Sequence, residues 1–178
     1  MGQNAMDKVK ITSFETDRLV LRLMTLDEWQ DFVEHAVEAD ECYLVFAAEK
    51  SDELLEAVKR PYYSQVIYYT IHLPDSDQMI GYVGYNIDNN HIEYYIFKGH
   101  RRLGYAYEAV SALIDKLISG SILGEPVNEI RAWTVWENTP SIELLLKLGF
   151  RAISFRLGYD NTIGRNFSYT VETKEDAA

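Results

Sequence analysis

The chain predicts a mixed α/β (α+β) domain, a central and mostly antiparallel sheet of about seven strands covered by about four helices. Three observations carry that expectation. The runs QVIYYTIHL, QMIGYVGYNI and HIEYYIF are rich in β-branched and aromatic residues and are separated by the turn signals PDSD and Asn89-Asn90, so they read as an antiparallel meander. Downstream, residues 105–119 place Ala109, Leu113 and Leu117, and Val110, Ile114 and Ile118, at helical spacing. Strand and helix signals then alternate to the end, giving the order β-α-α-β-β-β-α-β-α-β-β.

Each element has its own signal. RLVLRLM over 18–24 alternates as a strand does, and the following TLDE places Thr25 and Glu28 as a capping box that opens a helix toward Ala39. A second helix is expected over 51–60, ahead of Pro61. After the meander, the helix over 105–119 ends at Gly120, and NEIRAWTVW resumes as a strand. Thr139 is the expected N-cap of the last helix, with Pro140 at its first position and Gly149 as its stop. RAISFRLG and RNFSYTV flank the turn-rich DNTIG and close the sheet. No repeat, low-complexity tract or linker divides the chain, so 15–173 reads as one domain, with 1–14 as a disordered N-terminal segment and 174–178 as a tail.

Composition narrows the function. With 178 residues, 47% of them hydrophobic, the chain is long enough to bury one sizeable core. A formal charge of -11 argues against sequence-independent nucleic-acid binding, which draws its affinity from Lys and Arg on phosphates, and suits a cationic partner better. A single cysteine, Cys42, excludes an intramolecular disulfide framework and a Cys-rich zinc site, so a cytoplasmic protein without a metal is expected. No apolar run is long enough to span a membrane, and MGQNAMDKVK lacks the apolar core of a secretion signal. Gly2 does not complete a myristoylation pattern, because Met6 stands where Ser or Thr is needed.

Against that acidic background, KGHRRLGYAYEA over 98–109 gathers Lys98, His100, Arg101 and Arg102 between a strand end and the first turn of a helix. Backbone N–H groups at a helix start lack intrahelical partners and the dipole there is positive, so an anion belongs at this place. Gly104 lets the backbone approach a ligand, and Ala106 does not obstruct it. A diphosphate fits, although neither G-x-x-x-x-G-K-[ST] nor G-x-G-x-x-G is present.

R-x-x-G-x-A at 101–106 resembles the pyrophosphate-binding loop of the GNAT family of acyl-CoA-dependent N-acetyltransferases. ENTPSIELLLKLGF is similar to a segment of the branch that includes ribosomal-protein N-terminal acetyltransferases, and TDRLVLR resembles that branch's first strand. The resemblance implies a sheet splayed between the fourth and fifth expected strands, HIEYYIF and NEIRAWTVW, with acetyl-CoA in the gap. It implies that backbone groups of Tyr95, Ile96 and Phe97 bind the pantetheine arm. Arg101, Arg102, Leu103, Gly104, Tyr105 and Ala106 would surround the pyrophosphate, and Asn138 would contact the cofactor from the far side. A homodimer is plausible on the same ground.

The implied reaction is attack of a primary amine on the acetyl thioester. An amine of pKa about 10 is protonated at neutral pH, so a base or a water chain must take a proton. By the two-residue period, His91, Glu93, Tyr95 and Phe97 share one strand face, and either His91 or Glu93 is placed to act. The related branch commonly reads E-I-G-Y-W where this chain reads H-I-E-Y-Y; Glu93 is preferred, since a carboxylate also attracts a cationic amine. Ser141 is the family-matched proton donor to the departing thiolate. Arg102 stands where the branch usually has glycine.

Among 13 tyrosines, Tyr62, Tyr63, Tyr82, Tyr85 and Tyr94 are the candidates for an acceptor pocket, while Trp133 and Trp136 read as packing residues. The acceptor is a protein N-terminus or a small amine such as a polyamine or aminoglycoside. The competing class is a catalytically silent acyl-CoA-binding or protein-interaction module, and a nucleotide- or phosphate-binding protein comes third.

Overall fold

The computed structural model describes residues 5–25, 27–29, 32, 65–157 and 163–171. Eight strands form one sheet: β1 Ser13–Glu15, β2 Val20–Leu23, β3 Val66–His72, β4 Met79–Asn86, β5 His91–Ile96, β6 Glu129–Val135, β7 Arg151–Leu157 and β8 Ile163–Thr170, in the spatial order β1-β2-β3-β4-β5-β6-β8-β7. Two helices are described whole, α1 Tyr105–Ile118 and α2 Thr139–Lys147. Residues 27–29 and Phe32 are also helical. The expected helix over 51–60, Tyr62, Tyr63 and the far part of the helix toward Ala39 lie outside the described residues.

The count of about seven strands becomes eight because Ser13–Glu15 pairs antiparallel with β2. Three residues with one buried side chain, Phe14, are too short to show a period. Ahead of it, Ala5–Lys8 forms a 3-10 turn, and the Lys10 N–H donates to the Ile122 carbonyl at 2.8 Å. The meander is as expected. Asn90 closes its second turn with φ 58°, a left-handed conformation that asparagine tolerates, and its Oδ1 accepts from the Tyr85 hydroxyl at 2.8 Å.

Strands β3 and β4 are buried along almost their whole length, which is why their sequences read as continuous apolar runs rather than alternations. One face of β3, with Ile67, Tyr69 and Ile71, packs with Val83, Ile92 and Ile96 against α1 residues Ala109, Val110, Leu113 and Leu117. The opposite face carries Val66, Tyr68 and Tyr82, which pack with Met24, Trp29 and Phe32. Tyr82 and Tyr85 are therefore core residues, at 3% and 1% exposure.

Two helix ends differ in detail from expectation. The N-cap of α2 is Asn138 rather than Thr139: the Asn138 Oδ1 accepts from the Ser141 N–H at 3.3 Å, which places Thr139 first and Pro140 second in the helix. Pro is tolerated there because those first N–H groups have no intrahelical acceptor. Gly149 ends α2 with φ 93°, as expected. The capping box forms as read, with the Thr25 N–H donating to Glu28 at 2.8 Å and the Glu28 N–H to the Thr25 hydroxyl at 3.2 Å.

The feature that positions a site is the join between β5 and β6. These strands run parallel and are paired through the single register pair His91↔Arg131, so they part toward their C-terminal ends. The splay expected between HIEYYIF and NEIRAWTVW is this opening, now between the fifth and sixth strands. At the other edge, β7 is exposed along its whole length. Five of the seven large hydrophobic side chains recorded as exposed among the described residues gather there or beside it: Trp136, Ile153, Phe155, Leu157 and Ile163.

Candidate active site

The wedge between β5 and β6 opens onto the basic loop. After Ile96 the chain makes a 3-10 turn over Lys98–His100, and Arg102 and Gly104 then take left-handed φ values of 65° and 85°. Gly104 is the N-cap of α1, and the first intrahelical bond runs from the Glu108 N–H to the Gly104 carbonyl at 3.1 Å. The N–H groups of Tyr105, Ala106 and Tyr107 thus precede any helical acceptor and, with the dipole, make an anion site at the mouth of the wedge. Arg101, Arg102, Leu103 and Gly104 are all exposed there.

Arg101 folds back rather than outward. Its Nε donates to the Ile96 carbonyl at 2.8 Å, and its guanidinium lies 5.2 Å from the centre of the Tyr95 ring. Arg18, which sequence reasoning did not single out, braces the loop from the other side. Its Nη1 donates to the Leu103 carbonyl at 3.0 Å, its Nε to Glu108 at 2.7 Å, and its guanidinium lies over the Tyr105 ring at 4.8 Å. Burial alone would raise the Glu108 carboxyl, but hydrogen bonds from Thr16 and Arg18, together with the Arg18 charge, hold it below the ordinary range.

Glu93 sits in the middle of β5, on the face of the sheet that carries the second aromatic cluster. Strand register sets Tyr68, Gly84 and Glu93 side by side on β3, β4 and β5. The Tyr68 hydroxyl donates to the Glu93 Oε1 at 3.3 Å across Gly84. Burial pushes the Glu93 carboxyl up to about 7, against the lowering effect of the Tyr68 hydrogen bond. A carboxyl poised near neutrality is suited to exchange a proton at physiological pH.

His91 lies where β5 and β6 still meet, at the closed end of the wedge. Burial first, then the charges of Arg156 and Arg131, push its imidazole down to about 4. The ring is therefore neutral at pH 7 but a weak base. His91 and Glu93 share a face, as the period of two requires, and the structure separates them by proton affinity.

On the opposite face of β5, Tyr94 reaches across the wedge. Its hydroxyl donates to the Ser141 carbonyl at 3.5 Å, and burial pushes the phenol up to about 12, so it stays protonated. Ser141 stands in the first turn of α2, held by the Asn138 cap; the Asn138 Oδ1 is engaged there, facing its own helix. Tyr94, one of the five candidates for an acceptor pocket, meets α2. The Trp133 ring lies over Gly164, where a Cβ would fall 2.3 Å from it, a packing role as read. Trp136 differs: it is half exposed, with Arg165 over its ring at 5.0 Å and Phe155 at 5.7 Å.

Farther along the Glu93 face, a cavity of about 370 Å³ is lined by Arg22, Glu28, Phe32, His72, Asp77, Met79 and Phe97. Arg22 pairs with Asp77 at 2.9 Å and with Glu28 at 3.7 Å. His72 is buried beside them, and burial first, then the Arg22 charge, lower its proton affinity. None of these lining residues was singled out for this role in the sequence, because the five strand and helix segments that supply them meet only in the fold. Among the described residues no group of three or more His, Cys, Asp or Glu is arranged to hold a metal, and no helix is long and apolar enough to cross a membrane.

Known proteins agree with this architecture. The family model of the acetyltransferase (GNAT) domain matches residues 18–151. The "uncharacterized N-acetyltransferase p20" of Bacillus licheniformis is 34% identical over 102 residues, a match spanning 54% of this chain and 55% of that protein, so the chain spans about half the length of this curated relative. Among solved structures, the ribosomal-protein-S5-alanine acetyltransferase of Vibrio fischeri superposes with a TM-score of 0.68 at 18% identity, covering 90% of this chain and 97% of that one. The microcin C7 self-immunity acetyltransferase, solved with acetyl-CoA and AMP, superposes with a TM-score of 0.68 at 12% identity, covering 93% and 99%. With its domain match running from two residues ahead of β2 to the first residue of β7, and with the sheet splayed at β5 and β6, the chain belongs to the GNAT acetyltransferase family.

Proposed function

We propose that the protein is an acetyl-CoA-dependent N-acetyltransferase that moves the acetyl group directly to a primary amine. The observation that carries this reading is the open wedge between β5 and β6, with helix-start amides that precede any helical acceptor at its mouth and, on the face of the bordering strand β5, a carboxyl of raised proton affinity. Family membership supports acetyl-CoA as the cosubstrate, and the acetyl-CoA complex of the microcin self-immunity enzyme shows the same fold holding it.

The residues divide the work. Backbone groups of Tyr95, Ile96 and Phe97 line the arm of the cofactor, while Arg101, Arg102, Leu103, Gly104, Tyr105 and Ala106 enclose its pyrophosphate. Glu93 takes the proton from the incoming ammonium; the freed amine forms a C–N bond to the acetyl carbon, and the C–S bond breaks. The nitrogen sheds its second proton as the C–S bond breaks, and the departing thiolate takes a proton from the Ser141 hydroxyl, which that released proton restores; beside it, burial keeps the Tyr94 phenol protonated. His91, held neutral at the closed end, shapes the base rather than replacing it, and Asn138 acts by holding Ser141 in place. A cationic acceptor, either a protein N-terminus or a polyamine-like or aminoglycoside-like amine, matches the ionised Glu93 and the net charge of -11.

Thiol release from acetyl-CoA against N-terminal peptides, polyamines and aminoglycosides tests the reaction. Release with one amine class is expected; tight CoA binding without release across the panel would support the silent acyl-CoA-binding module instead.

Arg102 offers a second test. A non-glycine residue in the left-handed region costs about 1 kcal/mol, so Arg102→Gly should raise the melting temperature by about 2–4 °C. If the guanidinium also holds the pyrophosphate, calorimetric affinity for acetyl-CoA falls about tenfold in the same variant. A rise in stability with unchanged affinity would leave the backbone alone in that role.

The open β7 edge is the surface we assign to a second copy of the chain. Two-fold antiparallel pairing about Ser154 sets Ile153 against Phe155 of the other copy and covers an apolar row that an edge strand otherwise presents to water. Light scattering should give a dimer, and Phe155→Asp a monomer.

A further inference from the structure

We propose that Tyr68 is a positioning residue for the transfer reaction, fixing the Glu93 carboxylate across a side-chain-free notch that Gly84 provides. The inference rests on the reading of Glu93 as the base and adds the part that no strand of β5 can supply alone. Three adjacent strands contribute one residue each to a single row, Tyr68 on β3, Gly84 on β4 and Glu93 on β5. The hydroxyl of the first reaches the carboxylate of the third at 3.3 Å over the second. A Cβ on Gly84 would lie 2.8 Å from the Tyr68 ring and 3.0 Å from the Glu93 Cγ, so any side chain there would force the two apart.

Tyr68 is itself held. It is 9% exposed, and its ring packs at 5.0 Å from Trp29 and 5.5 Å from Tyr82, which leaves the hydroxyl little choice of direction. The bond is a donation to the carboxylate, so it favours the ionised form that accepts the ammonium proton and opposes the desolvation that favours the neutral one. On the same face, the other titratable side chains among the described residues include His91 and Tyr95 on β5, Tyr82 on β4, His72 on β3, Arg22 on β2 and Arg131 on β6 opposite His91, with Glu28 and Asp77 around the cavity beyond. His91 is neutral at pH 7, Arg131 is paired with Glu129 at 2.9 Å, and Arg22 is paired with Asp77 at 2.9 Å. Tyr68 is thus the one described neighbour whose hydrogen bond bears directly on the Glu93 proton.

The test follows the Glu93 carboxyl carbon by NMR across pH in the free protein, with Glu93→Gln to assign the signal. Tyr68→Phe keeps both ring contacts and removes only the hydroxyl; its Glu93 titration should move to higher pH than in the wild type. Gly84→Ala should move it the same way by separating the pair, and combining the two changes should add little. An unmoved titration in folded Tyr68→Phe overturns the inference. Because this readout needs neither cofactor nor acceptor, it stands apart from the thiol-release assay: no release with any amine would sink the acetyltransferase reading while leaving the NMR result intact. Where release is found, the acid limb of kcat/KM against pH should shift upward in Tyr68→Phe with little change in acetyl-CoA affinity.

Discussion

Glu93→Gln should lower kcat/KM for thiol release by about 100- to 10,000-fold, the usual contribution of a positioned general base, while acetyl-CoA affinity stays near the wild-type value. The pH profile gives the sharper form of the prediction. The base must be ionised to accept a proton, so wild-type activity should rise with pH through about 7, where burial has pushed the Glu93 carboxyl, and the variant should lose that limb. Stability should move the other way. The folded value lies above the ordinary 4.5, so the native state holds this proton more tightly than the unfolded chain does. The resulting stabilisation is complete below about 4.5 and is lost as pH rises through 7. An uncharged amide in the same place is spared that loss, so at pH 8 Glu93→Gln should be more stable than wild type by about 1–3 kcal/mol in chemical denaturation. A variant both inactive and more stable is the signature of a strained functional group rather than of a structural one.

The second large effect is expected at Gly81. A Cβ there would stand 2.1 Å from the Tyr95 backbone carbonyl oxygen and 3.0 Å from the Ile96 Cα. Both neighbours are main chain, so no rotamer change relieves the contact, and the Gly81↔Ile96 pairing of β4 with β5 must open. Gly81→Ala should cost about 3 kcal/mol or more, a fall in melting temperature of roughly 6–12 °C. The damage falls at the strand end proposed to hold the pantetheine arm, so acetyl-CoA affinity should drop with it. Gly99→Ala is the control: nothing lies within 4 Å of its Cβ, and its effect should stay within about 0.5 kcal/mol. Equal melting temperatures for the two variants would contradict the close approach of β4 and β5.

What was legible in the sequence had local causes. The capping box of Thr25 and Glu28 spans four residues, and the turn at Asn89-Asn90 uses a residue type suited to left-handed backbone; both form as read. The α2 cap slipped by one position because Asn138, Thr139 and Ser141 are all good capping residues, and only the direction of the Asn138 side chain decides among them. Strand β1 was missed since a three-residue strand has no measurable period.

The site shows the same division. R-x-x-G-x-A marked the loop, because its glycine and its place before a helix are local features. Its braces were not legible: Arg18 and Glu108 are 90 residues apart, and Tyr68 lies 25 residues from Glu93. Nothing in either segment alone predicts those contacts, which strand order and register create. The sequence preferred Glu93 on charge alone; the difference in proton affinity between it and His91 comes from burial and, for His91, the neighbouring arginines, neither of which a period of two can supply.

The most direct measurement of the central claim is thiol release from acetyl-CoA across the panel of N-terminal peptides, polyamines and aminoglycosides, run with wild type and Glu93→Gln between pH 5.5 and 9, a range spanning about 7, the value to which burial pushes Glu93. The account predicts release with one class of amine, rising with pH through about 7 in the wild type and nearly absent in the variant. Release that is equally fast in Glu93→Gln would contradict the assignment of the base, and acetyl-CoA bound with no release to any amine would contradict the enzyme itself.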